Sequence, residues 1–149
     1  MKKFIKIVST LLVAALLTAC MAAFVACGGD DDKDKVEYAT DKIYITIVDE
    51  DGNPIDGTTF GEDDWDETNH QVMVQFCTLD GGCATMVAVD ANGKAVYDLS
   101  AVKSVAEAGN TDTVELHVQK VAKVGYKVEY GQYKVNEIPK EITVKLVKA

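Results

Sequence analysis

Apolar residues run together without a period through residues 7–19, and from residue 42 onward they recur at every second position. The first run, "IVSTLLVAALLTA", is continuous. The later runs alternate with polar residues, which marks half-buried strands. "DKIYITIVDEDGNPIDG" sets Ile43, Ile45 and Ile47 on one face and then turns. "HQVMVQFC" repeats the pattern with Val72, Val74 and Phe76. It is followed by an "LDGG" turn, a β-rich run to Val89, a "DANG" turn and "KAVYDL". "DTVELHVQKV" alternates Val114, Leu116 and Val118 with Glu115, His117 and Gln119. "GYKVEYG" reads as a short strand, and "KEITVKLV" carries Ile142, Val144 and Leu146. Asp-Gly and Asn-Gly supply the positive φ that tight turns need. One segment departs from the rule. "SAVKSVAEAGN" offers Ser100 as an N-cap, Val102 and Val105 on a shared face and Gly109 as a stop, which predicts a short helix. About seven strands with one inserted helix predict an all-β fold, an antiparallel Ig-like sandwich over residues 41–149.

The chain begins "MKKFIK", so a basic start precedes the continuous apolar run. That arrangement describes a secretory signal peptide. Read on through Ala26, the run is long enough to span a bilayer, and a retained helical anchor is the alternative. Ser9, Thr10, Thr18 and the many alanines lack the bulk of a permanent span. "LTAC" (17–20) and "FVAC" (24–27) both resemble the lipobox of bacterial lipoproteins. In that family a peptidase cuts before the cysteine, whose thiol and new amino group then carry acyl chains. "LTAC" fits the box better, through Leu17. Cleavage before Cys27 has two other advantages: it leaves no apolar "MAAFVA" behind the anchor, and it leaves no orphan thiol in an exported protein. Cys27 is therefore the preferred lipidation site and Cys20 the alternative. The expected organisation is a signal peptide over residues 1–26 (or a cut after residue 19), a lipid-anchored acidic tether over 27–40, and the sandwich. "GGDDDKDKVEYAT" has almost nothing to bury, which suits a flexible tether. The resemblance implies a bacterial cell-envelope protein held to the membrane by its lipid, facing away from the cytoplasm. One acyl chain holds only marginally, so stable anchoring needs several.

Charge narrows the partners. The chain carries a formal charge of −9, and loss of Lys2, Lys3 and Lys6 with the signal leaves 12 basic against 24 acidic side chains. An acidic surface lacks the electrostatic drive for nucleic acid. The chain contains no Arg, so bidentate clamps on phosphate are absent too.

Several stretches together resemble the prealbumin-like sandwiches of bacterial surface proteins, among them carboxypeptidase-regulatory-like and Cna-B-like domains. The stretches are "ITIVDEDGNPIDG", "VMVQFC", "VAVDANGKAVYDL", "KVGYKVEY" and the terminal "EITVKLV". The shared pattern is a first strand ending in D-x-D/N-G-x-P-x-x-G, a V-x-V strand, a D-x-N-G-x-A turn, a G-Y pair and a last alternating strand. Residues 58–70 and 99–112 depart from it. The resemblance implies a non-catalytic module for display, adhesion or binding of an extracellular protein or glycan. Cna-B-like domains often carry a Lys–Asn isopeptide bond between the first and last strands. Lys42 is the one lysine of the first strand and the last strand has no Asn or Asp, so no such bond is expected.

Cys77 and Cys83 flank "TLDGG", and across a hairpin they fall within disulfide reach. In an exported protein a bond is the default. A redox pair is disfavoured because the spacing is not C-x-x-C and no helix start adjoins it. A zinc site from His70, Cys77 and Cys83 lacks a fourth ligand. "GEDDWDET" packs Glu62, Asp63, Asp64, Asp66 and Glu67 around Trp65, the only tryptophan. It reads as a solvated loop, as a binding loop with Trp65 as a stacking platform, or as a Ca²⁺ loop. "DEDGNP" is rejected for calcium, because Pro54 and Phe60 stand where such a loop needs Gly and Glu. His70 and His117 have no nucleophile with an orienting acid beside them, so neither an enzyme nor a cofactor is expected.

Overall fold

A computed structural model describes residues 35–149 except residue 129. The expected signal peptide, Cys20, Cys27 and the first part of the expected tether lie outside the described residues. The described chain forms nine strands, one α-helix and one 3₁₀ turn: β1 (Lys42–Val48), β2 (Met73–Thr78), β3 (Val87–Ala88), β4 (Lys94–Asp98), α1 (Leu99–Ala108), β5 (Thr113–Gln119), β6 (Tyr126–Lys127), β7 (Gly131–Lys134), the turn Val135–Glu137, β8 (Glu141–Lys145) and β9 (Val147–Lys148). Three strands form one sheet in the order β4-β1-β8, and four form a second in the order β3-β2-β5-β7. β6 and β9 make a separate two-stranded ribbon.

Period-two alternation places the core. Ile43, Ile45 and Ile47 of β1, Val74 and Phe76 of β2, Tyr97 of β4 and Val114, Leu116 and Val118 of β5 are buried in one apolar cluster. Phe76 meets Tyr97 edge to face at 5.1 Å between ring centroids, joining the two sheets. The Tyr97 hydroxyl donates to the Thr85 carbonyl, so its burial leaves no polar atom unpaired. Tyr97 lies with its hydroxyl pKa raised by that burial.

Three details differ from the sequence expectation. β1 and β8 pair in parallel, with Tyr44 opposite Glu141 and Val48 opposite Lys145, whereas every other strand pair is antiparallel. The helix starts from Asp98 rather than Ser100, and no side chain caps it. Its first amide, Leu99 N, donates instead to the Asp41 carbonyl at 3.0 Å, because α1 leaves β4 without a loop. The helix does stop at Gly109 as expected, with Gly109 right-handed at φ −81° and the next residue, Asn110, left-handed at φ +48°. Asparagine tolerates that region better than most residues. Residues 37–39, assigned above to the tether, lie along 138–140: Ala39 N donates to Ile138 O and Lys140 N to Glu37 O, each at 2.8 Å.

Two glycines are dictated by close approach. A Cβ at Gly57 would meet the Val89 carbonyl at 2.5 Å. Gly93 sits at φ +73°, and a Cβ there would meet the Ile47 carbonyl at 2.6 Å. These are the last Gly of D-x-D-G-x-P-x-x-G and the Gly of D-x-N-G. Both are small because backbone passes against backbone.

Candidate functional site

The loop Gly61–His70 begins where Phe60 tucks against Tyr126, their ring centroids 5.2 Å apart. At its base Gly61 N donates to the His70 carbonyl at 2.9 Å, and His70 Nδ1 lies 3.0 Å from the Gly61 carbonyl. Since a carbonyl only accepts, Nδ1 carries the proton in that contact. Thus His70 closes the loop neck.

The acidic residues then divide into two kinds. Asp63 accepts from Trp65 N at 2.9 Å, and its other oxygen lies 3.2 Å from Lys120 Nζ. The Trp65 amide and then Lys120 hold the Asp63 carboxyl below its ordinary pKa. Asp66 accepts from the hydroxyl and the amide of Thr68, and these bonds lower its pKa as well. Asp63 is thus engaged through both oxygens, by its own loop and by Lys120, and Asp66 through one oxygen by Thr68. Asp64 makes no hydrogen bond or ion pair among the described residues and is exposed. Trp65 beside it is 98% exposed.

The clamp on this loop comes from far along the chain. Lys120 follows β5 and has φ +69°, a region that β-carbon sterics disfavour for lysine. Its carbonyl accepts from Glu62 N at 2.8 Å while its ammonium pairs with Asp63. Lys123 donates to the Asp63 carbonyl at 3.4 Å and lies 3.7 Å from Glu67. The loop is therefore pinned from one side by two lysines, and its indole points away. Hiding such an indole in a partner is worth about 3 kcal/mol or more, which a solvated position forgoes.

The acidic residues do not pool. Among the described residues, no three Asp, Glu, His or Cys side chains converge as metal ligands would. Cys77 and Cys83 are joined in a disulfide with Cα atoms 4.0 Å apart, across the hairpin turn after β2. The turn is tied as well by Thr78 N donating to Gly82 O at 2.7 Å and by Gly82 N donating to the Thr78 hydroxyl at 3.0 Å. His70 is engaged at the loop neck, so the structure does not bring it to the cysteines.

A second polar group, on the outer face of the four-stranded sheet, is one that alternation alone does not expose. His117 Nε2 lies 3.3 Å from Glu115, Gln132 donates to Glu115 at 2.7 Å, and the Tyr130 ring stacks on His117 at 4.1 Å. Glu115 pairs across the ladder with Gln132, which brings the β7 residue to it. No nucleophile stands in this group.

A scan of protein-family models, a search of curated proteins and a search of solved structures each found no match to this chain.

Proposed function

We propose that this chain is a non-catalytic, lipid-anchored protein of a bacterial cell envelope. Its prealbumin-like sandwich binds an extracellular protein or glycan through the loop that carries Trp65. The single observation that carries the reading is the 98% exposure of the only tryptophan, at the apex of a loop clamped by Lys120 and Lys123. Aromatic side chains dominate the centres of binding interfaces. A clamp removes loop-ordering entropy that binding would otherwise cost.

Three further observations support parts of it. A disulfide at Cys77–Cys83 suits an oxidising compartment outside the cytoplasm. The adjacency of the first strand and the last alternating strand in one sheet suits the prealbumin-like reading. So do the turns: Asp49 accepts from the amides of Asp51 and Asn53, and Asp90 from those of Asn92 and Lys94.

Two experiments test the parts separately. Cys27→Ser is expected to abolish radiolabelled acyl incorporation and membrane retention, while Cys20→Ser keeps both; the reverse pattern moves the anchor to Cys20. For the site, a panel of envelope glycans and proteins is titrated while Trp65 emission is followed. Binding is expected to quench or shift the emission, and isothermal titration calorimetry is expected to show it lost in Trp65→Ala. A ligand bound equally well by Trp65→Ala overturns the assignment of the loop.

A further inference from the structure

The three-stranded sheet ends at β8, and the four-stranded sheet ends at β7. Between these edge strands runs a groove of about 350 Å³ whose apolar lining includes Leu116, Tyr133, Val144 and Val147. No strand covers the outer edge of β8 among the described residues. Its hydrogen-bonding state follows from the parallel pairing. Tyr44 N donates to Lys140 O and Leu146 N to Val48 O, so the even-numbered residues face β1. Backbone direction alternates along a strand, so the amides and carbonyls of Glu141, Thr143 and Lys145 point to the open side. Their side chains are exposed, while Ile142 and Leu146 are buried.

An open edge is a template for another strand, and proteins blunt such edges with charge and proline. Pro139 does this just before β8, and it limits the edge to a few residues. The two charges behave differently from simple blunting. Glu141 and Lys145 form no ion pair within their own chain among the described residues. They sit symmetrically about Thr143 in "EITVK".

We infer that β8 is a self-recognition edge and that its occupant is β8 of a second copy of this chain, antiparallel, with the two-fold axis at Thr143. In that register Glu141 faces Lys145 of the second copy, Thr143 faces its own equivalent, and Lys145 faces Glu141. Each outward residue then gains a partner for both its amide and its carbonyl. Ile142 of one copy lies opposite Val144 of the other on the inward side, over the apolar groove. The charges select the register as well as favour it. A pairing centred on residue 141 sets Glu141 against Glu141, and one centred on residue 145 sets Lys145 against Lys145, and like charges directly opposite are unfavourable. An isologous contact of this kind closes on itself, so it yields a dimer of the sheet rather than a fibre.

The test uses the unit Val36–Ala149, which holds the whole apolar cluster within itself. Sedimentation equilibrium from micromolar to submillimolar concentration is expected to show a reversible monomer–dimer transition. Glu141→Lys and Lys145→Glu each set like charges opposite one another twice, and each is expected to raise the dissociation constant roughly tenfold or more. The double variant E141K/K145E restores both pairs and should restore the dimer. Mixing the two single variants should give a heterodimer, because one then supplies two lysines and the other two glutamates. Circular dichroism of each variant checks that the sheet is retained. A wild-type chain that stays monomeric over the whole range overturns the inference. A dimer indifferent to the charge swaps, or a mixture that fails to associate, overturns it as well.

Discussion

The Asp49–Gly57 turn and the Gly61–His70 loop lie a few residues apart, and both direct carboxylates at their own backbone amides. Asp49 takes the amides of Asp51 and Asn53, much as Asp63 takes that of Trp65 and Asp66 that of Thr68. Beyond that they part. The first turn ends in buried Ile55 and in Gly57, pressed against the Val89 backbone, so the core holds it. The second reaches no core at its apex. Lysines from another segment hold it, and its largest side chain stays in water. Local turn chemistry is thus the same in both, and what differs is the source of rigidity. A loop held by its own buried residues commits those side chains to the core. A loop held from the side keeps its apex free.

The contrast breaks most visibly at Gly57. Gly57→Ala drives a Cβ into the Val89 carbonyl and side chain and should cost about 2 kcal/mol in urea unfolding. A neutral result would mean that the turn is not core-held. Next in size is the hairpin after β2, where a covalent bond supplies the rigidity. Replacing Cys77 and Cys83 by Ser should lower stability by roughly 2 kcal/mol, because the closed loop is short, with a sequence separation of 6. No loss would show that the surrounding Thr78–Gly82 hydrogen bonds suffice.

Acid should loosen both acidic segments together. Asp49, Asp56, Asp63, Asp66 and Asp80 all have depressed pKa values, held down chiefly by hydrogen bonds from neighbouring amides or threonine hydroxyls. A depressed pKa means that the unfolded chain binds the proton more readily. Their contribution is therefore present above about pH 4, the unfolded carboxylate value, and is lost as pH falls through the lower folded values. A melting temperature that is flat from pH 6 and falls below pH 4 is expected; a rise on acidification would contradict the assignment. The smallest effects belong to the exposed apex. Trp65→Ala should change stability by less than about 0.5 kcal/mol. Calcium or chelator should leave the midpoint unmoved, because among the described residues no three carboxylate, histidine or cysteine side chains converge.

Much of this was legible in the chain. The inward faces of β1, β2, β5 and β8 follow from alternation, since Ile43, Val74, Leu116 and Ile142 could not be exposed without loss. The glycine turns and the cysteine pairing were readable because each is a local matter of φ or reach. What escaped is non-local. The parallel β1–β8 contact joins residues about a hundred positions apart. Lys120 holds Asp63 from across the fold, and nothing in a lysine announces a positive φ. Nor could the helix start be placed by Ser100, because tertiary bonding of Leu99 N to Asp41 replaced the side-chain cap. In the candidate site the sequence marked Trp65 and its acids but could not tell Asp64, which has no partner among the described residues, from Asp63 and Asp66, which hold their own loop.

Fluorescence of Trp65, the sole indole in the chain, tests the account most directly. A bare ring on a clamped loop should emit as fully hydrated indole and be quenched by acrylamide almost as freely as a small indole compound. Its anisotropy should decay only as the whole protein tumbles. Blue-shifted emission shielded from acrylamide, or fast local depolarisation, would contradict an indole held out in water for a partner.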